Sequence, residues 1–268
     1  MKATVLMDNT APEGLLCEWG LSIWIEHEGR RILLDAGSTG DFAENAARLG
    51  IDLAQADFAV LSHAHYDHAD GLGEFFARNE RARLYVRAGA GEDCVKSADG
   101  GYEYIGIKKG LLAQYAERIV YADGVTELCP GAWLLPHTTQ GLALTGEHAG
   151  MYRETRGGVA ADDFSHEQSL VVRDARGLVI FSSCSHAGAD VIIRETLAAF
   201  PGERVYALVG GLHLYRSTDG EVLALARRVR ETGIDLVVTG HCTGDAASAL
   251  LARELGDRFR LFSSGCVI

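Results

Sequence analysis

The chain has 268 residues, 47% of them apolar and 23% charged, and a formal net charge of −12. That is room for one large domain with a substantial core, or two small ones. The acidity argues against a nucleic-acid partner, since phosphate backbones are gripped by clustered Lys and Arg. Six scattered cysteines without a CxxC do not make a disulfide framework, no apolar run approaches the roughly 18 residues of a membrane span, and no signal-peptide pattern opens the chain. The expectation is a cytoplasmic protein without a membrane partner.

In chain order, ATVLMD reads as a strand, and LSIWIEHEGRRILLDAG as two strands around the turn Glu28-Gly29-Arg30. DFAENAARLGI places Phe42, Ala46 and Leu49 at helical spacing, with Gly50 as a C-terminal cap. FAVLS is a short buried strand, ADGLGEFFARN a helix and ARLYVR a strand. Residues 88–131 are glycine-rich and weakly periodic; they read as an inserted loop region with a small helix near LLAQYAERI, placed to act as a lid. Residues 145–165 also read as loop. SLVVRDARGLVIFS is then a hairpin, followed by the alternation of VIIRETLAAF, VYALVG, EVLALARRVRETG, IDLVVTG, DAASALLAREL and FRLFS. Hairpins followed by strand–helix alternation, in each half, predict an α+β domain with two sheets face to face and helices outside.

The strand FAVLS runs directly into LSHAHYDHADG, where His63, His65, Asp67 and His68 fall within six positions. Neutral imidazoles and a carboxylate are the donors zinc prefers. A strand-to-helix loop lets neighbouring side chains approach one point from different sides. His63 and His65 can serve one ion, and Asp67 and His68 a second about 3.5–4 Å away.

This segment resembles the metallo-β-lactamase-fold hydrolases, whose hallmark is HxHxDH at the end of a strand. Asp35-Ala-Gly37 matches that superfamily's upstream Asp-x-Gly turn, so the resemblance gives Asp35 the role of bracing the metal loop. The stretch 33–72, then FSSCSHAGAD, GGLHL and TGHCTGD in that order, is similar to the branch of dihydropterin ribofuranosylaminobenzene phosphate synthase-like proteins. The resemblance implies a four-layer αββα sandwich formed as a single domain over residues 1–268, holding one or two zinc ions, with manganese or iron as alternatives. It makes His241 the late-strand ligand. After the hairpin the superfamily usually supplies a bridging aspartate, and Ser182-Ser183-Cys184-Ser185-His186 contains none. His186 is the expected ligand from this loop, with Cys184 as the alternative. His166 lies near the superfamily's third histidine position, although the branch carries an acidic residue there, matched by Glu167. His213, with Tyr215 and Arg216 nearby, is assigned to substrate contact. His27, His137 and His148 carry no motif and read as surface or loop residues, with His148 a substrate-side candidate.

The expected activity is hydrolysis of a small anionic substrate, phosphorylated or of phosphodiester type, by metal-activated water, with Asp67 and His213 as catalytic groups. The alternatives are a synthase of the pterin-ribofuranosylaminobenzene phosphate type, or a lactone, thioester or amide hydrolase.

Overall fold

The computed structural model describes residues 1–268. Its framework is two sheets. The first has six strands in the order 2–7, 22–27, 30–34, 58–60, 83–87 and 119–122; the second has seven, in the order 259–261, 236–239, 205–209, 177–181, 168–174, 132–136 and 126–129. Neighbouring residues on a strand point to opposite faces, and here both faces are buried. Val5, Leu34, Val172 and Val179 enter a core shared by the two sheets. Their neighbours Leu6 and Leu33 face a core containing Phe42 and Phe75 from helices Asp41–Arg48 and Leu72–Arg78. Val171 and Ile180 face a third core with Ile192, Val222 and Leu251 from helices Ala189–Ala199, Asp219–Glu231 and Asp245–Leu255. Three cores separate four layers, helix–sheet–sheet–helix, which is the expected αββα sandwich.

The hairpin 22–34 turns at Glu28 and Gly29, both with positive φ, the conformation that matches the twist of two-residue hairpins. Parallel pairing then joins strand 30–34 to 58–60 and 58–60 to 83–87 in the first sheet, and 177–181 through 205–209 to 236–239 in the second. Parallel strands deliver their following loops to a common edge, where α/β folds place ligand sites. No helix is long and apolar enough to cross a membrane.

Two segments differ from their expected form. Residues 88–131 are not mainly loop: strands 94–98 and 101–104 form a hairpin, while 119–122 and 126–129 extend the outer edges of the first and second sheets. Residues 145–165 contain the end of helix Leu142–Ala149 and the strands 151–155 and 158–161. The two hairpins pair into a third, four-stranded antiparallel sheet in the order 158–161, 151–155, 94–98, 101–104. Strands 101–104 and 158–161 have mostly exposed residues, so they lack the apolar alternation that marks a strand in sequence. Tyr66 donates its backbone N–H to Ile105 at 2.9 Å, and Lys108 donates its own to Asp70 Oδ1 at 2.9 Å, tying this small sheet to the histidine-rich loop.

Candidate metal centre

Five loops converge at the sheet edge, following the strands that end at Leu34, Val60, Phe181, Val209 and Thr239. Four of their residues, Asp35, Ser185, His213 and His241, hold positive φ without being glycine. Such backbone strain concentrates where side chains must be aimed.

Asp35 organises the first of these loops. Ser62 donates its N–H to Asp35 Oδ1 and its hydroxyl to Oδ2, both at 2.7 Å. His68 Nδ1 lies 2.8 Å from Asp35 Oδ2, and His63 Nδ1 lies 2.8 Å from Ser62 Oγ. A carboxylate only accepts, so His68 Nδ1 carries the proton. With the Ser62 hydroxyl already donating, His63 Nδ1 carries one too. Both imidazoles therefore present a bare Nε2 lone pair inward, the tautomer a metal requires. This is the bracing role expected of Asp35, extended through Ser62 to a second histidine.

The remaining donors are aimed by other means. Glu167 accepts from the backbone N–H of His186 at 3.0 Å and of Ala187 at 3.2 Å, and the His186 ring stacks on Phe164 at 4.5 Å. His241 Nδ1 lies 3.0 Å from Asn9 Oδ1, and its N–H donates to Asp8 Oδ1 at 2.8 Å. Asp67 Oδ2 lies 3.7 Å from His68 Nε2 and 3.5 Å from His241 Nε2. Cys184 Sγ is 3.3 Å from His68 Nε2 and 3.3 Å from Cys242 Sγ.

Donor atoms of His63, His65 and His186 lie within 4.8 Å of one another, as do those of His63, His68 and Cys184, of Cys184, His241 and Cys242, and of Cys184, His186 and His213. Cys184 is common to three of these groups, so it sits between the histidines of the two halves. The Nε2 atoms of His63, His65, His186 and His241, and Nδ1 of His213, are buried without a hydrogen-bond partner. A buried polar atom left bare costs about 1–3 kcal/mol, and five in one place are difficult to account for without a ligand. A cation relieves the cost for all that reach it. The donor set of imidazole, carboxylate and thiol suits zinc, so these residues fit a metal.

Electrostatics agree. Burial pushes the His63 and His186 pKa values well below normal, and neighbouring histidines add to the effect. Burial also lowers His65 to about 3. All three are neutral at physiological pH, as ligands must be. Burial raises the Asp67 carboxyl, but His68 and His241 outweigh it and keep it ionised. Burial lowers His241, yet Cys242 and Asp67 hold it up to about 9. The negative surroundings that would keep a proton on that nitrogen would equally favour a cation.

Some residues fall elsewhere. His166 is buried beside His65, but its nitrogens are engaged: Nδ1 accepts from the Ala64 N–H at 3.1 Å and Nε2 lies 3.0 Å from Asp162 Oδ2. It groups instead with His65, Cys94 and Asp162. His137 is not a surface residue: its side chain is 4% exposed, with Nε2 2.8 Å from Glu167 and Nδ1 3.2 Å from Glu195. His27 is also buried, its Nε2 3.2 Å from the Pro130 carbonyl. His148 is 84% exposed and lies 3.7 Å from Glu221. Asp8, Asn9, Ser62 and Cys242 were not expected at the centre: Ser62 and Cys242 sit within the quoted motifs beside His63 and His241, whereas Asp8 and Asn9 reach it only through the fold.

His65, Asp67, Cys184 and Cys242 line a cleft of about 240 Å³, together with Trp19, Tyr66, Lys96, Met151, Tyr215 and Arg216. His213 stands at its wall, 4.4 Å from the His186 ring.

Comparison with known proteins bears on the family and the fold. The chain is 26% identical over 265 residues, covering 93% of itself and 89% of the relative, to the 7,8-dihydropterin-6-methyl-4-(beta-D-ribofuranosyl)-aminobenzene-5'-phosphate synthase of Methanocaldococcus jannaschii. A crystal structure described as a metal-dependent hydrolase of the beta-lactamase superfamily matches with a TM-score of 0.83 and 28% identity, over 100% of this chain and 98% of the other. A diphosphatase of the PhnP family shares the fold at a TM-score of 0.54 and 17% identity, over 100% of this chain and 96% of its own. The family model of the metallo-beta-lactamase superfamily matches residues 20–241, a span that runs from the loop before the first hairpin to His241. The αββα layers, the HxHxDH loop and this match together make the chain a member of the metallo-beta-lactamase superfamily.

Proposed function

We propose that the protein is a metal-dependent hydrolase that cleaves a phosphodiester-type bond in a small anionic substrate. The observation that carries this reading is the set of bare, buried imidazole nitrogens around Asp67 and Cys184, two residues that line an open cleft. His63, His65 and His186 would hold one ion, and Asp67, His68 and His241 a second, with Cys184 between them where the superfamily usually has an aspartate. Zinc bound there, or manganese or iron, supplies a Lewis acid and lowers the pKa of water towards neutrality.

The chain's own groups do the rest. Asp67 is ionised, lies at the cleft floor and accepts a proton from the nucleophile. His213 has an unpaired Nδ1 and faces the cleft, so it can donate to a substrate oxygen as negative charge develops. Glu167 holds the backbone of the His186 loop and fixes where that imidazole points.

Turnover of bis-p-nitrophenyl phosphate against a lactone panel tests the substrate class. His213→Ala should lower kcat by about 10²-fold or more with metal content unchanged; equal loss of metal would sink its catalytic role. A synthase is the second reading, favoured by the name of the M. jannaschii relative. Condensation of a pterin with a phosphoribosyl donor, with neither ester class hydrolysed, would decide for it.

A further inference from the structure

The cleft continues outward past the donors, and its mouth has a chemistry the metal centre does not use. Trp19 and Tyr215 meet edge to face with centroids 5.4 Å apart, and Trp19 also lies 5.5 Å from the His241 ring. They are 42% and 41% exposed, an unusual state for two large rings in contact, which gain by being covered. Tyr66 completes the aromatic lining, following directly on His65.

Two cations share this mouth. Lys96 comes from the four-stranded sheet and Arg216 from the loop that carries His213. Arg216 forms no salt bridge and stands 5.3 Å from the Tyr215 ring centroid. Lys96 pairs with Glu103 at 3.1 Å, but both partners are exposed, and such a pair is weak enough for a ligand to exchange. Burial raises the Tyr215 pKa, while Arg216 and Lys96 both pull it down, so both cations act on the same phenol from distant parts of the chain. In a chain of net charge −12, two cations lining one cleft stand out.

We infer that this mouth is a recognition subsite for a second, non-reacting anionic group carried on a planar aromatic ring, with Lys96 and Arg216 holding the anion and Trp19, Tyr215 and Tyr66 the ring. The inference rests on the hydrolase reading, in which the reacting ester lies deeper, against Asp67 and His213. The substrate is then a small aromatic molecule with two anionic positions, one cleaved and one held.

The test is calorimetric titration of the metal-loaded protein with naphthalene-2-sulfonate, which cannot be hydrolysed and is a poor metal ligand, against neutral 2-naphthol. The sulfonate should bind roughly tenfold tighter or better. The double variant Lys96→Ala, Arg216→Ala should erase that preference, Arg216→Lys should keep part of it, and Trp19→Ala should weaken both ligands. Equal binding of the two ligands, or a preference that survives removal of both cations, overturns the subsite. A sulfonate preference in a protein that cleaves no ester would contradict the hydrolase reading and leave the subsite standing.

Discussion

At the residue scale, two side chains decide how the centre is built. Asp35 is 1% exposed and accepts from Ser62 twice and from His68 once. Asp35→Ala leaves buried donors bare, at about 1–3 kcal/mol each, and frees two imidazoles to adopt the wrong tautomer. Metal affinity should fall about 10–100-fold, measured by competition with a chromophoric chelator; an unchanged affinity would remove Asp35 from the account. Cys184 is the second. A thiolate between the ions favours thiophilic metals over magnesium or manganese. Titration with cadmium should produce sulfur-to-metal charge-transfer absorption that disappears in Cys184→Ser, while Cys184→Asp should shift preference towards manganese. Absorption that persists in Cys184→Ser would move the ligand to Cys242, and absorption missing from the wild type would exclude both. The sequence brought this position to notice because the usual aspartate is missing from SSCSH, but it left His186 and Cys184 as alternatives. The fold places both at the centre, because the loop turns through Ser185 at positive φ and so brings the two side chains to neighbouring points of the donor array.

At the scale of elements, the loops are held by contacts no local pattern announces. His241 is fixed by Asp8 and Asn9, more than 230 positions away in the chain, and a motif search around TGHCTG cannot show that. HxHxDH was legible because strand, loop and ligands are contiguous. The small sheet was not, because its outer strands have no buried face. Gly210 shows how tightly the loops abut: it holds φ +139°, and a Cβ there would lie 1.8 Å from the Ser182 carbonyl oxygen. Gly210→Ala should cost about 3 kcal/mol or more, or prevent folding, read as soluble yield and melting temperature. The chain Glu195–His137–Glu167 braces the His186 loop from behind. Burial lowers His137, but Glu167 and Glu195 outweigh it and raise it to about 9. For Glu195 burial raises the pKa, while His137 and the Thr138–Thr139 segment bring it down to about 2. A raised folded-state pKa stabilises fully below the unfolded value of about 6.5 and is lost as pH climbs through about 9. The lowered Glu195 stabilises above about 4.5 and is lost as pH falls towards 2. The pair therefore contributes most between about pH 4.5 and 6.5. His137→Gln should lower the melting temperature most in that window and least near pH 10; a difference independent of pH would show that the pair is not charged.

For the whole molecule, strand residues with both faces buried define the layers by themselves. The αββα fold was accordingly legible from alternating hairpins and strand–helix units. An ion that binds the histidine cluster only in the folded state stabilises that state by mass action, about 2.7 kcal/mol at a hundredfold excess over Kd. Zinc should raise the melting temperature by several degrees and chelation should reverse it, with the fold retained. The central claim is that these histidines are metal ligands, and metal content after gentle purification tests it most directly. Elemental analysis by mass spectrometry should find one or two equivalents of zinc, manganese or iron per chain, falling to near zero in the double variant His63→Ala, His65→Ala with its secondary structure intact. A folded wild-type protein that carries no metal and takes up none from stoichiometric zinc would contradict the account.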